Sequence, residues 1–291
     1  MLAGRKRFEL FDYIVIAVAV LMIVIILYPL WLVLINSVSD PAEVALGKVV
    51  LFPKGFNLDG YKYIFRDKSI LTGYANTIFY TVFGTLINLL VTIPAGYVLT
   101  KSHLIGHKVI STLFLITMYF SGGLVPTFLV VTELGLYNSR WAILLLGAFN
   151  MYNCIICRSF FAALPRELEE SAKIDGATPI RTFVSIIMPL SKALVGVMTL
   201  YFAVDHWNSY FNAMIYLVDE DKKPLQLFLR KLLVLAQISS SDMIDGAAAY
   251  AETEALIRYG VIVVSALPLL IIYPFLQKYF DKGVLIGSVK G

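Results

Sequence analysis

Residues 13–39, 69–100, 109–132, 141–157 and 259–277 contain no Asp, Glu, Lys or Arg. Stretches of this length restrict the fold sharply, because a hydrocarbon core about 30 Å thick is crossed by roughly 20 apolar residues of helix rising about 1.5 Å each. The composition agrees. Of 291 residues 59% are hydrophobic and 15% charged, with a mean hydropathy of +0.78, whereas a soluble globule has about 25% charged residues. The chain reads as an integral membrane protein. Its apolar runs do not alternate with period two, so helices are expected and closed barrels excluded. A net charge of +4 is too small to imply a nucleic-acid partner.

The fold expected is all-α, a polytopic membrane protein with six transmembrane helices. The first span is 14–35. Arg5, Lys6 and Arg7 precede it like a signal peptide's n-region, but the apolar run exceeds an h-region of about 7 to 15 residues and no small-x-small site ends it, so it should stay uncleaved. Spans follow at 69–100, 109–132 and 141–157, the last continuing through Phe160 and Phe161. The fifth, 194–216, is apolar except for Asp205-His206-Trp207-Asn208-Ser209-Tyr210-Phe211-Asn212, and the sixth is 259–277.

An internal N-terminus places Arg5, Lys6, Arg7, Lys101, Lys108, Arg158, Arg166, Lys173, Arg181, Lys192, Lys278, Lys282 and Lys290 inside, thirteen of 24 cations, in short segments near helix ends. The organisation expected is a cytoplasmic N-terminus (1–12), a six-helix domain (13–280) with an internal loop at about 159–193, and a cytoplasmic tail (281–291). Residues 38–68 and 218–258 are then external, the second rich in acids such as Asp219, Glu220 and Asp221.

The internal loop reads as two short helices. Pro165 suits a first turn, and Glu167, Glu169 and Glu170 put negative charge near the helix's positive end. Gly176 can supply a left-handed cap, and Pro179 after Thr178 pre-sets the next helix. On physics alone this could be an interfacial connector lying against lipid headgroups. However, Glu170-Ser171-Ala172, three residues, Gly176, nine residues and Ile186-Ile187-Met188-Pro189 resembles the EAA loop of ATP-binding-cassette importer permeases. That loop reads Glu-Ala-Ala, three residues, Gly, nine residues, Ile-x-Leu-Pro. Ser171 and Met188 stand where the pattern has Ala and Leu, and the spacing is intact.

The remaining chain is similar to the carbohydrate-uptake permeases, the family of the maltose transporter's smaller membrane subunit. Gly122-Gly123-Leu124-Val125-Pro126-Thr127, His206 to Asn212 and Gly283 to Gly291 look like its complex-oligosaccharide subgroup. The resemblance implies a bacterial inner-membrane permease that supplies half of a sugar path. Its partners would be a second homologous permease, two ATPase subunits and an external sugar-binding protein. Glu170, Ser171, Ala172, Asp175, Gly176 and Pro189 would form the coupling site for the ATPase, and the tail residues Gly287, Val289, Lys290 and Gly291 a further contact with it.

A charge at membrane depth costs on the order of 2.5 to 3.5 kcal/mol, so Asp205 should face a cavity or another subunit. Trp207 and Tyr210, three apart on one helical face, could stack on sugar rings, and Asn208, Asn212 and Tyr201 could bond hydroxyls. An aromatic belt at the outer interface is the competing reading, and a small residue would be expected at 205 in the subgroup. Asn76, Asn88, Asn150 and Asn153 read as helix glue. Cys154 and Cys157 lie in an apolar helix and read as packing residues, and His103 with His107 lacks a third metal ligand. No G-x-x-x-x-G-K-[ST] occurs, so ATP hydrolysis must come from a partner and no cofactor is expected. H-E-x-x-H and G-x-S-x-G are missing too, which disfavours an enzyme. The alternative is an ion-coupled secondary transporter, which should display inverted repeats; none is evident.

Overall fold

A computed structural model describes residues 10–66, 68–239, 257–271 and 274. The helices are α1 (Leu10–Ser37), α2 (Pro41–Ala45), α3 (Asp59–Arg66), α4 (Lys68–Val98), α5 (His107–Tyr119), α6 (Leu124–Glu133), α7 (Arg140–Leu145) and α8 (Met151–Ala162). They continue with α9 (Glu167–Ile174), α10 (Pro179–Thr182), α11 (Met188–Leu190), α12 (Lys192–Asn208), α13 (Phe211–Tyr216), α14 (Leu225–Ser239) and α15 (Ile257–Ile271). Among the described residues there is no strand. Two helices, α1 and α4, are long and apolar enough to cross a membrane singly.

The expected spans at 14–35 and 69–100 fall inside single helices, but the next three are broken. Residues 109–132 divide into α5 and α6, bent by 117°, because Gly123 adopts φ +87° between them. Residues 141–157 divide at Gly147, after which Asn150 caps α8 by accepting from the Asn153 amide. Residues 194–216 divide at Ser209, whose backbone is extended. Charge counting finds the length of an apolar run and is blind to such turns. α15 matches the start of the sixth span, and its expected end lies outside the described residues.

The chain forms two compact units, residues 1–67 with 229–266 and residues 68–228 with 267–291. In the first, the last turn of α1 is buried at Ile35, Asn36 and Ser37. Tyr61 of α3 donates its hydroxyl to Ser37 Oγ at 2.8 Å, and the Trp31 indole donates to the Leu51 carbonyl at 2.8 Å. Asp40 caps α2 through the Ala42 amide, and Gly260 of α15 lies against the fully buried Ile64.

The second unit is organised around α4, which packs chiefly on α12 and α8. Towards its C-terminal end, Ile93 and Tyr97 meet Cys157, Phe161, Ile187, Leu194, Met198 and Phe202 in one cluster. Tyr80, nearer the other end, joins Ile143, Leu144, Ala213 and Leu217. Both cysteines are fully buried and unbonded. A Cβ at Gly96 would sit 2.5 Å from Cys157 Cβ, so bare backbone at Gly96 is what lets α8 approach α4.

Candidate functional site

The loop between α8 and α12 folds as a helix, a turn and a helix. α9 ends in a Schellman arrangement: Gly176 N–H donates to the Lys173 carbonyl and Ala177 N–H to that of Ala172, at 3.1 and 2.9 Å. Gly176 takes φ +76° with open space around it, so conformation and not room requires glycine there. Thr178 then caps α10, accepting from the Arg181 amide, with Pro179 in the first turn. A π-helical turn, Phe183–Ile187, leads into α11. Pro189 accounts for it: a proline has no N–H for the carbonyl one turn back and its ring crowds that carbonyl, and here Met188 N–H reaches five residues back to Phe183. Ser191 is fully buried, donates to the Ile187 carbonyl at 2.7 Å and stands at an 82° bend into α12.

This loop has two unlike sides. Ala172, Thr182 and Ile187 are buried, and Phe183 packs against Tyr97 with ring centroids 4.9 Å apart. Facing outward are Ile174, 86% exposed, and Ile180, 77% exposed. Glu170, Ser171, Asp175, Gly176 and Pro189 are also exposed, whereas Ala172 is turned inward.

At the end of α12, Asp205, Asn208, Ser209, Tyr210 and Phe211 line an open depression of about 240 Å³. Trp207 does not join them. It is 3% exposed and meets Tyr74 edge-on at 6.3 Å. The shared face expected for Trp207 and Tyr210 is lost because α12 stops at Asn208 and the turn re-aims everything after it. Asn212 is half-buried on α13. His206, to which sequence reasoning gives no role of its own, is buried with Nε2 2.6 Å from Asn88 Oδ1. The same Asn88 donates to the Gly147 carbonyl at 2.5 Å, so one amide ties α12, α4 and the α7–α8 turn together.

Near the N-terminal half of α4 a second polar group holds residues 217–225. Asn76 donates to the carbonyls of Asp221 and Lys223 and accepts from Arg140. Tyr80 donates to the Lys222 carbonyl, and Leu225 N–H donates to Thr77. Asn138, at φ +55°, accepts from the amides of Val218 and Asp219. The Lys222 ammonium, helped by Asn138, holds the Asp219 carboxyl below the usual carboxylate range. Nothing in sequence spacing links Asn76 to a turn more than 140 residues away.

Residues 68–211, which include the loop and all the residues lining the depression, match the family described as binding-protein-dependent transport system inner membrane component. Over 269 residues the chain is 43% identical to Protein LplC of Bacillus subtilis (strain 168), covering 92% of this chain and 90% of that one. The chain belongs to this family of importer permeases. The permease is also 39% identical over 283 residues to the polygalacturonan/rhamnogalacturonan transport system permease protein YtcP of Bacillus subtilis (strain 168), covering 97% and 99%. A crystal structure of a bacterial ABC transporter involved in the import of the acidic polysaccharide alginate contains a chain similar at a TM-score of 0.84. It is 34% identical, and the match covers 95% of this permease and all of that chain.

Family membership places the permease in a bacterial membrane as a transport subunit, and the ion-coupled carrier is set aside. The tail residues Gly287, Val289, Lys290 and Gly291 lie outside the described residues, as do Arg5, Lys6 and Arg7. Arg140, a site-forming residue that sequence reasoning missed, borders an apolar run, where a cation reads as a helix-end marker.

Proposed function

We propose that this permease forms half of the path by which a binding-protein-dependent importer takes up an oligosaccharide, and that its 164–189 loop couples the path to a separate ATPase. The observation that supports coupling most is the outward pairing of Ile174 and Ile180 on either side of the Gly176 turn. Among the described residues nothing packs over these two large aliphatic side chains on a short charged loop, and a groove in another protein would bury them. The chain crosses the bilayer six times in this reading, through α1, α4, the bent pair α5 and α6, α7 with α8, α12 and α15, with both termini and the loop cytoplasmic. A second homologous permease completes the path, and two ATPase subunits seat one coupling loop each. An external binding protein delivers the sugar to the opposite face, where the turn at 218–225 is braced by Asn76 and Asn138. The C-terminal tail reaches the ATPases.

The relatives point to a solute class to try first. YtcP is named for polygalacturonan and rhamnogalacturonan, and the alginate importer for an acidic polysaccharide, so a uronate-bearing oligosaccharide is the first to test. ATP-driven closure of the ATPases would draw the two coupling loops together and open the cavity outward. The depression at Asp205, Asn208 and Tyr210 supplies carboxylate, amide and phenol groups able to exchange hydrogen bonds with hydroxyls.

The test uses the transporter assembled with its ATPase, second permease and binding protein and reconstituted in vesicles. Wild type should import uronate oligosaccharides in an ATP-dependent way. Gly176→Pro and Glu170→Lys should abolish uptake and loosen the ATPase while the chain stays inserted. Normal uptake by both variants would sink the reading.

A further inference from the structure

Glu169 and Glu170 are adjacent, and neighbours on a helix point about 100° apart. The structure gives them different surroundings. Glu170 is exposed, whereas the Glu169 carboxylate receives hydrogen bonds from the Lys101 ammonium on both oxygens. Lys101 lies just beyond α4, and its Nζ stands 4.3 Å from the centroid of the Tyr97 ring, within cation–π range. Tyr97 is itself fixed, edge-on to Phe161 of α8 at 5.6 Å and tilted over Phe183 at 4.9 Å. The pair is partly shielded, with side chains 20% and 34% exposed, so it escapes much of the screening that weakens surface pairs.

The two arms of the loop are held differently. The second arm sinks Ile187 into the main cluster, with Phe183 and Met188 packed against it. The first arm, α9, is eight residues long and buries only Ala172, too little to fix an orientation alone. A cleft of about 430 Å³ runs beside it, lined by Thr100, His103, Arg158, Arg166 and Glu170 as well as by the pair. The Lys101–Glu169 contact therefore bridges space that apolar packing does not fill.

We infer that Lys101 and Glu169 are positioning residues that clamp the first arm of the loop to the end of α4. A displacement imposed on α9 by the ATPase is then passed into α4 instead of being absorbed at the joint around Pro165. The inference rests on the coupling function proposed above and adds a route for the motion.

The experiment measures sugar uptake and ATP hydrolysis in parallel on the reconstituted transporter, read as sugar moved per ATP. Lys101→Met keeps the stem over Tyr97 and removes the charge, and Glu169→Gln keeps the shape of the carboxylate. Each should leave the ATPase bound and hydrolysing while the ratio falls by about tenfold, a typical size for coupling between sites. The exchange of charges, Lys101→Glu with Glu169→Lys, should recover most of the ratio. An unchanged ratio in Glu169→Gln overturns the inference, and that variant decides alone if Lys101→Met does not accumulate. Loss in both singles without recovery in the exchange also overturns it, since each residue would then act separately. An ATPase that fails to bind even the wild-type chain overturns the coupling function itself, which is a different result.

Discussion

Over nearly equal lengths, α1 and α4 treat their surfaces in opposite ways. The most apolar 18-residue stretch of α1 has a mean hydropathy of 3.0 and none of it is buried, while the corresponding stretch of α4 has 1.8 and is 33% buried. The less apolar helix is the one that packs. Lipid tails are as apolar as leucine, so helices in a bilayer gain nothing from hydrophobicity towards one another and associate through close approach and hydrogen bonds. α4 accordingly carries Gly84 and Gly96 at crossings and buries Asn76, Asn88, Thr77 and Thr92. In α1 the side chains from Val15 to Leu27 are Val, Ile, Leu, Met or Ala throughout, a surface suited to lipid.

Substitutions can break this contrast. The largest effect is expected at Gly96→Leu, where a Cβ would approach Cys157 Cβ to 2.5 Å and the Arg158 backbone nitrogen to 3.1 Å. Backbone cannot swing aside, so a cost of about 1 to 3 kcal/mol or more is expected, read as a lowered unfolding temperature in mild detergent or loss of the monodisperse peak. Asn88→Leu comes next. It takes one partner each from His206 and the Gly147 carbonyl together, at about 0.6 to 2 kcal/mol, and combined with His206→Phe it should cost less than the two singles summed. Additive losses would mean that the three groups do not act as one unit.

Arg140→Met is expected to act more locally. Asn76 keeps its two carbonyl partners and loses one donor, so amide exchange across 218–225 should quicken while the unfolding temperature barely moves. The smallest effect belongs to α1, where Ile23→Ala should shift stability of the isolated chain by less than about 0.5 kcal/mol. A shift there as large as that of Gly96→Leu would end the comparison, and would mark α1 as packed rather than lipid-facing.

The loop was more readable than the spans, and the reason is the range of the interactions involved. Gly176, Thr178, Pro179 and Pro189 act on backbone within one turn of themselves, so their order along the chain specifies the helix, turn and helix without any tertiary contact. The π turn at Phe183–Ile187 belongs to the same class, since Pro189 announces it locally, although the expectation was an ordinary short helix. The spans at 109–132 and 194–216 read from sequence as one helix each. Hydropathy sums over a window and cannot register one residue at φ +87° or an extended Ser209. Trp207 illustrates the cost: its place on a helix was evident, but the direction of its ring depended on where α12 stops and on Tyr74, 133 positions earlier.

Membrane residence, helical class and the helix-turn-helix loop were thus set by local rules, because an apolar environment forces each helix to satisfy its own backbone and capping chemistry is read within a few residues. Tertiary structure alone decided which polar groups pair: Lys101 with Glu169 rather than Glu170, Asn88 with His206, and Asn76 with the carbonyls of Asp221 and Lys223. Those choices depend on helix rotation and approach distance, which bare glycine backbone and side-chain volume settle in three dimensions, and no spacing along the chain encodes them.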